Sequence, residues 1–255
     1  MILLVDAHVH LSDSLLSGHI SEIIAYLKGS GTLALTMSVD LRSSIETIQI
    51  ARKLPSHIIP FAGIHPNSAH NESLGEFEKY YNNTSDEITG IGEIGLDGSY
   101  TTEREDIGRQ VKVFKAMLSI AEKEGKPVSV HSRKAVEESL EILGQFDLKG
   151  VLLHWFAGTE SELTRVQDMG YMISFGPAMV YSKRLQRLAG HSNRDLTLVE
   201  SDGPVRYSAC FEGHPSDSRF LASVVRSLAW IWQESFSEVE NLLHKNTSKY
   251  LKSNI

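Results

Sequence analysis

The stretch Ile88-Thr89-Gly90-Ile91-Gly92-Glu93-Ile94-Gly95-Leu96-Asp97 decides the fold reading, because an apolar run of strand length ends in two acids. A buried carboxylate is costly without a cation or donors beside it, so an acid in this position marks the end of a strand that opens onto a site. The pattern recurs along the chain. Short β-rich runs at 2–5, 33–37, 58–62, 88–94, 127–130, 150–153, 171–174 and 196–199 read as eight strands. Most of the intervening segments carry apolar residues at three- and four-residue intervals, as in Ile20-Ile23-Ile24-Leu27, Ile45-Ile48-Ala51 and Val111-Phe114-Met117-Leu118-Ala121. Strand–helix alternation specifies parallel strands with right-handed crossovers, and eight strands favour closure. The expectation is an α/β protein, a (β/α)8 TIM barrel spanning 1–255 as a single domain, with 221–232 and 239–243 as terminal helices. Residues 205–217 show no clear period.

Composition narrows the chemistry. No segment approaches the roughly 20 apolar residues of a membrane-spanning helix, so a membrane partner is not expected. The apolar start at 1–5 is cut off by Asp6, too short for the core of a secretory leader, and a cytoplasmic location is expected. Cys210 is the only cysteine, so no intrachain disulfide and no disulfide-linked partner are expected; metal ligands must be histidine and carboxylate. The net charge of −7 gives no general attraction for polyphosphate. Nucleic acid would have to be captured locally, and cations bound among carboxylates would reverse the sign of that pocket.

In barrel enzymes the active site lies at the C-terminal ends of the strands. Polar residues gather there in Asp6-Ala7-His8-Val9-His10, Glu93 to Asp97, His131-Ser132-Arg133, His154 and Glu200-Ser201-Asp202. Period-two alternation puts His8 and His10 on one strand face, where two imidazoles can bind one cation. Isolated His-x-His pairs also occur as ordinary surface or core residues. His131 and His154 end adjacent strands and can converge on a second cation, with Glu93 placed to bridge both ions. Asp202 would ligate the first ion and accept a proton from water, although Asp-Gly is also a turn signal. Glu200, Asp97 and Asp6 are candidates to orient the ligands from behind. His65 and Arg133 are candidates for substrate contact, the guanidinium fork being suited to phosphate. Trp155 and Phe156 could stack on a base or simply pack in the core.

These residues resemble the TatD-like metal-dependent deoxyribonucleases of the amidohydrolase superfamily. Five segments carry the likeness in the family's order: Asp6-Ala7-His8-Val9-His10-Leu11, Gly63-Ile64-His65-Pro66, Gly92-Glu93-Ile94-Gly95-Leu96-Asp97, His131-Ser132-Arg133 and Glu200-Ser201-Asp202-Gly203-Pro204. The resemblance implies a 3′-5′ exonuclease type of phosphodiester hydrolase using water activated by two divalent ions (Zn, Mn or Mg). It implies Glu93 as the bridge, one ion held with His8, His10 and Asp202, and the other with His131 and His154. The implied partner is DNA, with RNA or a small phosphodiester as alternatives, and a monomer is expected. The chain departs from the family at Gly98-Ser99-Tyr100, at Asn67, where a second histidine is common, and after Pro204, where the usual Arg- and Asn-containing segment is absent. Rival readings are a lactonase, deaminase or phosphotriesterase of the same superfamily, several of which bridge their metals with a modified lysine, and a non-catalytic metal-binding scaffold.

Overall fold

The computed structural model describes residues 4–99 and 104–253. Its eight strands are β1 (Val5–Val9), β2 (Leu33–Thr36), β3 (Ile58–Ala62), β4 (Gly90–Gly95), β5 (Val128–His131), β6 (Val151–Leu153), β7 (Met172–Phe175) and β8 (Thr197–Val199). They lie in sequence order in one parallel sheet. Closure comes from backbone bonds between β1 and the segment leaving β8. His10 N donates to Gly203 O at 2.8 Å, and Asp202 N to His8 O at 2.9 Å. Parallel neighbours require crossovers. These are supplied by α1 (Ile20–Ser30), α2 (Leu41–Ala51), α3 (Leu74–Thr84), α4 (Arg104–Glu124), α5 (Val136–Leu143), α6 (Glu160–Asp168) and α7 (Lys183–His191), followed by α8 (Leu221–Trp232) and α9 (Phe236–Leu251). Among the described residues, no helix is long and apolar enough to cross a membrane.

The helix starts are written locally. Asp40 and Ser43, Thr159 and Glu162, and Ser235 and Glu238 each form a capping box, satisfying amides that the first turn leaves unpaired. Most strands fall within a residue or two of their predicted bounds. The first differs more: it was placed at 2–5, of which 2 and 3 lie outside the described residues, and it runs instead from Val5 to Val9. Asp6 and His8 therefore sit within the strand rather than after it. Tyr100, which interrupts the third motif, also lies outside the described residues. The aperiodic stretch 205–217 folds as a loop with a short 3-10 turn at Ala209–Phe211 and one antiparallel bridge, Arg206 to Pro215.

The barrel interior is layered. Val5, Ala7, Leu33, Leu35, Met37, Phe61, Leu152, Met172 and Leu198 form an inner apolar cluster that also takes in Tyr250 and Leu251 from the end of α9. Phe61 and Tyr250 stack at 6.3 Å. Gly90 is obligatory against this layer, since a Cβ there would lie 2.1 Å from the Phe61 ring. Above it the inward positions turn polar at Ser129, Ser174 and Glu200, all fully buried.

Two irregularities re-aim side chains. Between Asp6 and Val9, and again between Ile91 and Ile94, the strand gains one residue relative to its neighbour. Such a bulge leaves an extra residue and switches the face of what precedes or follows it. In β1 it puts Asp6 and His8 on opposite faces despite their period-two spacing. In β4 it turns Glu93 inward between the outward-packed Ile91 and Ile94.

Candidate active site

Glu93 lies at the centre of the barrel mouth, 3% exposed, and its two oxygens face two sets of imidazoles. Oε2 is 3.3 Å from His8 Nε2 and 3.1 Å from His10 Nε2. Oε1 is 2.7 Å from His131 Nδ1, 2.7 Å from His154 Nε2 and 3.4 Å from His65 Nε2. Asp202 Oδ1 closes the first set at 3.7 Å from His8 Nε2 and 3.5 Å from His10 Nε2. Asp202 stands just past β8 with a left-handed backbone, φ 46°, so it is the turn residue and a site residue at once.

Three of the five rings, His8, His65 and His131, are held from behind by hydrogen bonds. His8 Nδ1 meets Ser129 Oγ at 2.9 Å, and the ring stacks on His154 at 3.7 Å. His131 Nε2 meets Asp97 Oδ2 at 2.7 Å, which turns Nδ1 toward Glu93. Asp97 is in turn fixed by Ser99, whose N–H and hydroxyl donate to Oδ1 at 2.7 and 2.5 Å. His154 Nδ1 faces Glu200 Oε1 at 3.7 Å, longer than a hydrogen bond, while Ser174 Oγ donates to the other Glu200 oxygen. His65 Nδ1 accepts from Asn67 N at 3.1 Å at the start of a 3-10 turn, and this directs Nε2 to Glu93. Gly95 permits β4 to close on β5 here: its φ is 139°, and a Cβ would lie 2.0 Å from His131 O.

Burial disfavours charge on every one of these groups, and neighbours decide which way each moves. Against burial, His154, His65 and His8 hold the Glu93 carboxyl well below its usual range. His10 is pushed up to about 10, because Asp202 and Glu93 outweigh burial. His154 rises well above its ordinary value, burial being overcome by Glu93 and Glu200. His131 rises as Asp97 and Glu93 overcome burial. His8 falls to about 3 through burial and repulsion from His154. Asp202 stays below its ordinary value because His10, His154 and His8 outweigh burial.

This arrangement offers the donor set a cation site needs. Protons on His10, His131 and His154 offset the buried charges of Glu93 and Asp202, and the ring nitrogens crowd together in pairs. His8 and His10 Nε2 stand 3.1 Å apart, and His131 Nδ1 and His154 Nε2 3.4 Å apart. Divalent ions would accept the lone pairs of both members of each pair. Among the described residues, three groups have ligand atoms within 4.8 Å of one another: His8, His10 and Glu93; His8, His154 and Asp202; and His65, Glu93 and His131. Nitrogen and oxygen donors of this kind suit Zn and Mn and, less naturally, Mg.

The site opens into a cleft of about 1490 Å3 whose wall includes Arg42, Lys53, Arg133, Lys134 and Arg184. These stand among the acids Asp13, Asp40, Glu46 and Glu162 on the same wall, so the basic groups are interspersed with acidic ones. Residues 5–252 match the profile of the family "TatD related DNase".

The chain belongs to the TatD-related DNase family. It is 26% identical over 251 residues to an uncharacterized metal-dependent hydrolase of Methanocaldococcus jannaschii, covering 97% of this chain and 96% of that protein. It is 25% identical over 262 residues to the 3′-5′ ssDNA/RNA exonuclease TatD of Edwardsiella piscicida, covering 98% and 99%. The crystal structure of a TatD homologue from Escherichia coli K12 superposes with a TM-score of 0.88 at 21% identity over 97% of each chain, which supports the barrel.

Within this TatD-family chain, one sequence expectation is corrected. Asp6 touches no imidazole ring: the β1 bulge sends its carboxylate to Ser201 N at 2.8 Å, Ser201 Oγ at 2.6 Å and Ser218 Oγ at 2.7 Å. It braces the segment that carries Asp202. His65, expected on the substrate, lines the cleft and also stands 3.4 Å from Glu93 Oε1, which makes it a candidate ligand as well. Phe156 is 1% exposed and belongs to the core, so only Trp155 of that pair reaches the cleft. Arg133 does line the cleft, on its exposed rim. Ser129 and Ser174 were missed, although both were legible as lone polar residues on otherwise apolar strands. Ser129 also shares the period-two face of His131.

Proposed function

We propose that this protein is a divalent-metal-dependent phosphodiester hydrolase of the 3′-5′ exonuclease type, acting on single-stranded DNA, with RNA and small phosphodiesters as lesser substrates. The observation that carries the proposal is the division of Glu93: one carboxylate serves two imidazole sets through different oxygens, the arrangement a bridging ligand needs. His8, His10, Glu93 and Asp202 would hold one ion. Glu93, His131 and His154 would hold the other, with His65 as a further donor to it. When bound, such ions polarise a phosphoryl oxygen and lower the pKa of water.

The chain's own residues do the rest. Asp202 is held ionised by its imidazole neighbours, the form that accepts a proton from the attacking water. Glu93 keeps the two sets in register. Asp97 and Ser129 fix ring orientations so that the reacting geometry is preset rather than assembled. Arg133 offers paired N–H donors to a phosphate at the rim. The reading takes 1–255 as one catalytic domain working as a monomer in the cytoplasm. All candidate ligands come from one chain, and the sole cysteine requires no oxidising compartment.

The test is a substrate panel of single-stranded DNA, single-stranded RNA, a lactone and a phosphotriester, each with Zn, Mn and Mg. Single-stranded DNA should be turned over best, and Asp202→Asn should lower its kcat on the order of 10²- to 10⁴-fold, the usual span for a positioned base. Preferred turnover of the lactone or triester, or full activity in a folded, metal-loaded Asp202→Asn variant, would overturn the proposal.

A further inference from the structure

Trp155 follows the candidate ligand His154 directly, yet its backbone adopts φ 39°, a left-handed conformation disfavoured for any residue with a Cβ. The turn is secured by a bond from its N–H to Ser174 Oγ at 3.2 Å. Phe156, one residue on, is fully buried without any such backbone. Burial alone therefore does not account for the turn at 155. Its effect is to send two successive aromatic rings in different directions, one into the core and one to the cleft.

The indole is half-buried and lines the cleft beside His154. Behind it the ring of Tyr207 lies at 5.4 Å, tilted by 53°. Tyr207 is itself immobilised, 5% exposed, with its hydroxyl donating to Ser201 O at 3.2 Å and its ring edge against Phe211 at 6.5 Å. A large aromatic ring, rigid on one side and open on the other, is what a flat apolar ligand requires, because little side-chain entropy remains to be lost on binding.

We propose that Trp155 is the stacking platform for the base adjoining the scissile phosphate, so that the site selects unpaired strands that carry bases. The proposal rests on the phosphodiesterase reading and specifies how that site holds its substrate. A base stacked within a duplex presents its edges rather than its faces, whereas a single strand can offer a free π-face to the indole. Stacking of this kind tolerates any base. The platform thus favours single strands over duplex without imposing a sequence.

The experiment compares a short fluorescent single strand with a copy made abasic at its 3′ end, each in a phosphorothioate form for binding and a phosphodiester form for cleavage. Affinity is read by fluorescence anisotropy on the zinc-loaded protein, and cleavage separately. Wild type should prefer the base-bearing strand, Trp155→Ala should reduce that preference on the order of tenfold, and Trp155→Phe should retain most of it. Because the readout is a ratio between two strands, a general displacement of His154 cancels from it. An equal loss on both strands in Trp155→Ala, no preference in wild type, or no binding of either strand would overturn the platform. A preference in binding without cleavage of either strand would instead overturn the hydrolytic reading and leave the platform standing.

Discussion

With two cations bound as proposed, replacing Asp97 with asparagine should weaken one of them selectively, through a tautomer. In the native site Asp97 Oδ1 accepts from Ser99 N at 2.7 Å and from Ser99 Oγ at 2.5 Å, while Oδ2 accepts from His131 Nε2 at 2.7 Å. That last bond keeps a hydrogen on Nε2 and leaves the Nδ1 lone pair for a cation beside Glu93. Asparagine has a single oxygen. The amide of Ser99 can only donate, so it claims that oxygen and leaves the new NH2 facing His131 Nε2, donor against donor. The ring then relieves the clash by moving its proton to Nδ1, where it blocks the lone pair. Flipping the amide instead sets two N–H groups face to face at Ser99. Either way one charge-assisted hydrogen bond is lost, worth about 1.5–3 kcal/mol. Removing a carboxylate behind a ligating histidine typically costs about 10- to 100-fold in metal affinity, which is the same energy. Competitive chelator titration of the metal-free protein with zinc should show one weakened site and one near wild type, since the group around His8, His10 and Asp202 does not touch Asp97. Thermal unfolding monitored by circular dichroism controls for folding. A folded Asp97→Asn variant that binds both ions within about twofold of wild type would refute the tautomer argument.

Two further outcomes follow from charge. Because His10, His131 and His154 are all shifted toward their protonated forms in the metal-free cage, binding of cations near neutral pH should release more than one proton per chain. Calorimetric titration in buffers of different ionisation enthalpy measures this, and zero release would contradict it. Burial pushes the Asp6 carboxyl from its ordinary 3.8 up to about 7, against the hydrogen bonds from Ser201 and Ser218. Its folded value lies above its unfolded one, so its contribution to stability is full below about pH 3.8 and is lost as pH rises through about 7. Relative to wild type, a chelated Asp6→Asn variant should lack a decline on the order of 4 kcal/mol across that window in denaturant unfolding, and parallel pH profiles would rule this out.

Much of the site was legible in the sequence because its grammar is local. Strands show as apolar runs of four to eight residues, helices as three- and four-residue intervals, and catalytic residues as polar types where an apolar run stops. His8, His10, Glu93, His131, His154 and Asp202 were all found by that rule, and the structure brings them together at one barrel mouth. The rule fails where a neighbour decides. Asp6 reads as a carboxylate that orients the ligands from behind, and the bulge against β2 separates it from the rings. His65 reads as a substrate contact, and only the bond from Asn67 N shows that its Nε2 also faces Glu93. Trp155 and Phe156 look alike in sequence, and only the left-handed backbone at 155 parts them.

The amino-acid sequence by itself determined the alternation of strands and helices, the eightfold count, and a ligand chemistry restricted to imidazole and carboxylate by the single cysteine. Tertiary structure decided which face each of those side chains presents. Secondary structure follows from propensities and intervals within a few residues. A bulge, a cap that steers a ring, or a turn held by a serine from the next strand depends instead on pairing between segments far apart in the chain.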